Sequence, residues 1–271
     1  MSSPQVHRIA VVSIGRSGTS LISRILDQVL GISFGNEADH IPRNHSNPDG
    51  YFENAAFMAF NIRLLESVGA SVLLPPERHF VDRLSSTVQE QWIEEARRLL
   101  AQYAPAHEAF GWKDPRLSFT LPVWSAACPG LRVIVPFRHP GSVMSSIAEQ
   151  LGCPIASLSG LWHVYYAHVF DATVSIPRCL VDYDGLLADP WPATASMARF
   201  CGIEVDEREA RVALREIVKP QQSHHSPHRS AAAEIALDDR TRALYTFFRD
   251  RTARSEQPGA ADFYRLYSSA N

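Results

Sequence analysis

The sequence lacks several features that would restrict its function at once. No apolar run approaches the roughly 18 residues that a membrane-spanning helix needs, and the first eight residues lack the apolar stretch of a secretory signal. Lysine plus arginine number 26 against 29 for aspartate plus glutamate, so no excess of positive charge points to a general polyanion binder. We therefore expect a cytoplasmic protein with neither a membrane nor a nucleic-acid partner.

Cysteine is also scarce. Its four copies, Cys128, Cys153, Cys179 and Cys201, form no C-x-x-C pair, which favours buried free thiols over a metal or redox site. Hydrophobic residues make up 45% of the chain and charged residues 20%, a composition typical of neither disordered nor fibrous proteins. The 271 residues suit a single domain over 1–271 with a substantial core.

Short apolar runs alternate with helical stripes along the chain. The runs predict buried strands at 9–14, 109–112, 131–137 and 178–183. The stripes predict helices at 21–30, 92–103, 143–151, 158–170, 192–200, 207–217 and 238–248. Strands separated by helices predict an α/β fold, here a three-layer P-loop-like domain with a central, mainly parallel sheet flanked by helices.

A glycine loop, Gly15-Arg16-Ser17-Gly18-Thr19-Ser20, joins the first strand to the first helix. Backbone N–H groups and the helix dipole converge on such a turn and favour an anion. Arg16 would add a cation, and the three hydroxyls would add donors. The Walker lysine is missing, and the loop does not fit G-x-S-x-G. Phosphate binding and an ordinary strand-to-helix turn both remain open on the loop alone.

The loop resembles the 5'-phosphosulfate loop of sulfotransferases that use 3'-phosphoadenosine 5'-phosphosulfate (PAPS). A second motif of that family is an arginine at a strand end with a serine eight residues later, which Arg138 and Ser146 match. Residues 113–116 read K-D-P-R, similar to a segment of the tyrosylprotein branch and of many bacterial sulfotransferases. Tyr183 begins a segment that resembles the family's Y-[ED]-x-L.

The resemblance implies transfer of a sulfuryl group (EC 2.8.2 type) from PAPS, leaving 3',5'-adenosine bisphosphate. The acceptor would be a hydroxyl or amine of a small molecule, glycan or natural product, and no metal would be required. By the resemblance, the donor's 5' end is held by the loop residues Arg16, Ser17, Gly18, Thr19 and Ser20. Its 3'-phosphate is held by Arg138 and Ser146, and Tyr183 lies near its adenine.

The resemblance also suggests catalytic groups. Arg16 would neutralise the departing phosphate, and Lys113 would reach the sulfuryl from the other side. Where some family members place a histidine two residues after this lysine, the chain has Pro115. Glu37, at 37 - 16 = 21 positions after Arg16, has a spacing similar to the general base of the tyrosylprotein branch.

Glu37 is therefore the first candidate for the base, with Glu53 and His40 as alternatives. We expect Asp114 to be a scaffold carboxylate that pairs with Arg116 or with a backbone N–H.

Two other functions remain open: a P-loop kinase with a degenerate loop, and a non-catalytic nucleotide-binding protein that kept the anion pockets. A loop rich in histidine contains His224, His225, His228 and Arg229. It could close over the donor or the acceptor, or be an irregular solvated segment.

Overall fold

The computed structural model describes residues 7–43, 50–104, 109–218 and 237–253. In these ranges four strands form one sheet in the order β2-β1-β3-β4. The strands are β1 (Arg8–Val11), β2 (Phe110–Lys113), β3 (Arg132–Phe137) and β4 (Arg178–Asp182). Every pair of neighbours is parallel, which confirms the predicted fold class.

Helices lie on both faces of this sheet. Those before β3 are α1 (Thr19–Gln28), α2 (Ala55–Glu66), α3 (Ser86–Tyr103) and α4 (Leu117–Ala127). Those after β3 are α5 (Pro140–Leu151), α6 (Leu161–Ala172), α7 (Tyr183–Ala188), α8 (Pro190–Cys201), α9 (Glu207–Ile217) and α10 (Asp239–Ala253). Single 3-10 turns cover Glu37–Asp39, Val81–Arg83 and Ile155–Leu158.

The alternation of side chains along β1 builds two cores. Ile9 and Val11 pack with the buried faces of α1, α8 and α9. Ala10 and Val12 point the other way, into a larger aromatic core that includes α2, α4, α6 and α10. A strand that is buried on both faces has apolar residues at every position, which is why 9–14 is a continuous apolar run.

The apolar patterns do not predict α2, α4 or α7. Seven residues of α4 are buried and Pro122 lies inside it, so α4 shows no polar face and no helical stripe. The run 9–14 leaves the sheet after Val11, and the helix expected over 158–170 begins at Leu161. Val12 and Ile14 stay buried beyond the end of the strand, and Leu158 lies in a 3-10 turn before the helix, so the apolar residues continue past the boundary of each element.

Parallel register brings the strand ends together at one edge. At the carboxyl edge, β1 leads into the glycine loop and β2 ends at Lys113. β3 ends just before Arg138, and β4 ends just before Tyr183. In open α/β sheets, ligands bind beyond this edge. The fold thus places four widely separated sequence motifs on the same side of the molecule.

Three of the four cysteines are buried as predicted, and Cys153 is not. Cys128, Cys179 and Cys201 are buried free thiols, and Cys153 is a free thiol that is partly exposed. In the described ranges, no helix is long and apolar enough to cross a bilayer.

Candidate active site

The glycine loop is folded tightly against the segment that follows β4. Gly18 has a φ of 85°, and a Cβ at this position would lie 1.9 Å from Cδ2 of the Tyr183 ring. Only glycine allows this contact. α1 begins at the next residue, and its first turn carries no acidic side chain, so the positive end of its dipole points toward the loop without a countercharge of its own.

The glycine loop and the Arg138/Ser146 pair meet in one cleft. Arg16 Nε donates a hydrogen bond of 2.8 Å to Ser146 Oγ, and Arg138 Nη1 lies 3.4 Å from the carbonyl oxygen of Arg16. The Arg138 guanidinium lies over the Tyr183 ring at 5.2 Å from its centroid. The structure therefore assembles residues from positions 16 to 183 around a single cationic centre.

The electrostatics of this centre suit a phosphate group. Burial lowers the pKa of Arg16; Tyr51 opposes this effect and the positive charge of Arg138 adds to it. Arg138 Nε is buried with no hydrogen-bond partner among the described residues, and Asp184 is its nearest carboxylate at 3.8 Å. A bound anion would supply the missing acceptor and offset the repulsion between the arginines, so these residues fit a phosphate group.

The other loop side chains line the same turn. Ser17 and Thr19 are buried, and Ser20 is half-buried. Burial raises the pKa of Tyr183, with Arg138 opposing, so Tyr183 carries a protonated hydroxyl at neutral pH.

A buried ion pair stands at the end of β2. Lys113 Nζ lies 2.6 Å from Glu53 Oε1, and their side chains are 2% and 7% exposed. Lys113 Nζ also lies 5.7 Å from the centre of the Tyr51 ring. Lys113 and Glu53 are thus held together as one unit, and Tyr51 covers it.

Asp114 is a scaffold carboxylate, as the sequence predicted. Its Oδ1 accepts hydrogen bonds of 2.8 Å from both the backbone N–H and Nη1 of Arg116. Its Oδ2 accepts one of 2.9 Å from Asn61 Nδ2. Burial raises the pKa of Asp114, and the Arg116 charge opposes that shift.

Asn61 is the residue of this group that the sequence analysis did not single out. It lies on α2 within a buried stripe at helical spacing, formed by Phe57, Phe60, Asn61 and Leu64. A polar amide inside an apolar stripe requires hydrogen-bond partners. This position in the stripe is the sequence signal that identifies Asn61 as part of a buried polar network.

The side chains of Glu37 and His40 have other partners than the Lys113–Glu53 pair, although the backbone of His40 pairs with Asn54, next to Glu53. Glu37 is 73% exposed and pairs with Arg43, and His40 Nε2 contacts the carbonyl oxygen of Phe34 at 2.8 Å. Both line a cavity of about 430 Å³, and Tyr51 forms part of the same wall. The histidine-rich loop with His224, His225, His228 and Arg229 lies outside the described residues.

A comparison with known proteins identifies the family of this chain. The model of a family described as "Sulfotransferase family" matches residues 8–207. No curated protein is similar enough to count as a relative.

Among solved structures, the sulfotransferase domain of the olefin synthase of Synechococcus PCC 7002 has 19% identity and a TM-score of 0.52. The matched region covers 87% of this chain and 91% of that domain. This is a likeness of fold alone. A sulfotransferase from Alicyclobacillus acidocaldarius has 14% identity and a TM-score of 0.46, with 85% of this chain and 97% of its own covered.

Proposed function

Because the chain belongs to the sulfotransferase family, we propose that it transfers a sulfuryl group from PAPS to a hydroxyl or amine of a small-molecule, glycan or natural-product acceptor. The observation that carries this proposal is the Arg16–Ser146 hydrogen bond of 2.8 Å, with Arg138 against the same loop. It joins the loop expected to hold the 5' end of the donor to the pair expected to hold its 3'-phosphate.

In this proposal the donor lies across the carboxyl edge of the sheet. The loop amides, with Arg16, Ser17, Gly18, Thr19 and Ser20, hold its 5' end. Arg138 and Ser146 take the 3'-phosphate, and the Tyr183 ring contacts the adenine. When bound, the donor supplies a sulfuryl group on a phosphate leaving group.

The protein's own groups then orient the reactants and stabilise charge. Arg16 faces the leaving phosphate, and Lys113 donates to the oxygens of the transferring group. Glu53 accepts the proton of the acceptor. We assign the base to Glu53 in preference to Glu37, because Glu53 contacts Lys113 directly whereas Glu37 is exposed and paired with Arg43.

The proposed acceptor site is the cavity of about 430 Å³ beside Tyr51. Tyr51 links this cavity to the Lys113–Glu53 pair, because Tyr51 lines the cavity and its ring also covers the ion pair. Phe34 and Phe52 add aromatic walls, while Glu37 and Arg43 add a paired charge. Aromatic surface beside polar groups suits an acceptor with both an apolar body and hydroxyls.

Calorimetry with 3',5'-adenosine bisphosphate tests the donor site. We expect binding by the wild type and a 10- to 100-fold loss in Arg138→Ala, because a charge-assisted contact to phosphate is worth roughly 1.5–3 kcal/mol. Arg97→Ala is the matched control, since Arg97 lies on the exposed face of α3 and pairs with Glu90; it should bind as the wild type does.

Turnover of labelled PAPS with a mixture of phenols, alcohols and sugars tests the chemistry. Labelled sulfate should appear on an acceptor. Binding of the bisphosphate without any transfer would instead identify a non-catalytic nucleotide-binding protein. A preference for ATP with magnesium, indifferent to Arg138→Ala, would identify a kinase.

A further inference from the structure

Asn61 forms hydrogen bonds through both the oxygen and the nitrogen of its buried amide. Its Oδ1 accepts hydrogen bonds of 2.8 Å from both Thr120 Oγ1 and Trp124 Nε1. An indole N–H can only donate, so the carbonyl oxygen of the amide must face Trp124. The orientation of the side chain is thereby fixed, and Nδ2 is directed at Asp114 Oδ2 at 2.9 Å.

Asp114 in turn holds Arg116. The Asp114 carboxylate accepts from the backbone and the guanidinium of Arg116, both at 2.8 Å. Arg116 Nη1 is also 3.8 Å from Glu53 Oε2, which is beyond hydrogen-bond distance. One guanidinium therefore stands between two buried carboxylates and is bonded to only one of them.

We propose that Asn61 is a positioning residue for sulfuryl transfer. It holds Asp114 against Arg116 and so keeps the guanidinium off Oε2 of Glu53, the oxygen left to accept the proton of the acceptor. This inference rests on the function proposed above, in which Glu53 is the base.

The physical reason is competition for one guanidinium fork. Arginine binds a carboxylate best through two parallel hydrogen bonds. If Asp114 loses its charge or its orientation, Glu53 becomes the nearest carboxylate available to Arg116. Lys113 already holds Oε1, so capture of Oε2 by Arg116 would occupy both oxygens of Glu53 with cations.

The remaining neighbours do not change this competition. Besides Asp114 and Glu53, Tyr165 on α6 is the other titratable group that acts on Arg116 among the described residues. Burial raises the pKa of Tyr165 far above neutral pH, so it remains an uncharged phenol.

The test compares variants in the PAPS turnover assay. Asp114→Asn preserves shape and removes the charge, and Asn61→Leu removes the donor. We expect each to lower kcat at least tenfold, while KM for PAPS and the affinity for 3',5'-adenosine bisphosphate stay within twofold of wild type. Ser125→Ala is the matched control, because Ser125 lies on the same helix α4 and its hydroxyl donates to the carbonyl oxygen of Pro122; it should keep wild-type kcat.

Rescue separates positioning from a general loss of structure. In the double variant Asp114→Asn/Arg116→Met, no guanidinium remains to capture Glu53, and kcat should recover most of what Asp114→Asn loses. A double variant as slow as Asp114→Asn alone would overturn the proposal. If Asn61→Leu does not fold, Asn61→Ala, which also removes the donor to Asp114, takes its place in the same comparison.

A crystal structure of Asp114→Asn gives a readout that does not depend on activity. The distance from Arg116 to Glu53 Oε2 should shorten from 3.8 Å to hydrogen-bond range, about 3 Å. An unchanged distance would refute the positioning role. A wild-type enzyme that transfers nothing from PAPS would refute the proposed function, while this distance, measured in Asp114→Asn and in Asn61→Leu, would still decide whether the two residues restrain Arg116.

Discussion

Arg16 has a backbone φ of 68°, a left-handed conformation that costs roughly 1 kcal/mol or more for a residue with a side chain. The hydrogen bond from its side chain to Ser146 helps to maintain this conformation. Two residues later, Gly18 is left-handed as well. Successive turns of this kind direct backbone N–H groups to one point and form an anion-binding concavity, so the strain is located where the proposed site needs it.

Gly18→Ala should abolish binding of 3',5'-adenosine bisphosphate and lower the free energy of unfolding by about 2 kcal/mol or more. The added Cβ would meet the Tyr183 ring at 1.9 Å, and a left-handed alanine is itself strained. Gly15→Ala is the control, because a Cβ there meets nothing within 4 Å. Urea denaturation and calorimetry on both variants check this, and equal effects at Gly15 and Gly18 would contradict it.

Glu53→Gln should lower kcat by about 10²- to 10⁴-fold, the usual contribution of a general base. Affinity for 3',5'-adenosine bisphosphate should stay unchanged, because Glu53 contacts Lys113 and not the donor loop. Steady-state turnover of PAPS provides the measurement. Glu37→Gln serves for comparison and should keep wild-type kcat. The opposite ranking of the two variants would return the role of base to Glu37.

At the level of secondary-structure elements, the start of α2 determines where Glu53 lies. The Asn54 side chain caps this helix by accepting from the N–H groups of Ala56 and Phe57. The backbone on either side is tied down, since Ile41 N–H donates to the carbonyl oxygen of Glu53 at 2.8 Å. Glu53, the proposed base, therefore sits just before a helix start that is fixed on both sides.

Removing the cap should affect stability and catalysis together. Asn54→Ala should cost about 1 kcal/mol of unfolding free energy and lower kcat several-fold, because Glu53 loses its fixed backbone. Asp206→Ala removes the equivalent cap of α9, where Asp206 accepts from the N–H of Glu209. It should cost similar stability with no change in kcat. Denaturation curves and PAPS turnover distinguish the two, and an unchanged kcat in Asn54→Ala would refute the argument.

On the scale of the whole molecule, aromatic packing joins the C-terminal helix to the sheet. Phe248 of α10 is fully buried and stacks on Phe170 of α6 with an interplanar angle of 13°. It also contacts Phe137 at the end of β3, the residue before Arg138. α10 thus supports the strand end that presents the proposed 3'-phosphate ligand.

The buried His168 makes stability depend on pH. Burial lowers its pKa from 6.5 to about 4, so the unfolded chain takes up a proton that the folded protein refuses. The part of the unfolding free energy that depends on neutral His168 is therefore complete above pH 6.5 and falls between pH 6.5 and 4. Below pH 4 this group causes no further loss. A shift of this size corresponds to about 3 kcal/mol.

Burial lowers the pKa of His139 and His163 too, so they add to the same trend. Urea denaturation at pH 7.5, 5 and 4 should show the fall in wild type and a smaller fall in His168→Gln. An identical fall in the variant would contradict the assignment to His168.

Single motifs could be identified from the sequence because the residues of each lie close together along the chain. The glycine loop, the spacing of Arg138 and Ser146, and the pairing of Asp114 with Arg116 are local. The choice between Glu37 and Glu53 was not accessible in this way. Spacing from Arg16 favoured Glu37, whereas the ion pair with Lys113 spans 60 positions along the chain.

Sequence alone determined the α/β class and the places where strands lead into polar loops, since side-chain periodicity and turn residues encode these locally. Tertiary structure alone decided which carboxylate contacts Lys113 and that Arg16 meets Ser146. It also decided that Asn61 is bonded to Asp114. These are contacts between distant segments, and only the parallel register of the sheet and the packing of α2 on α4 bring them together.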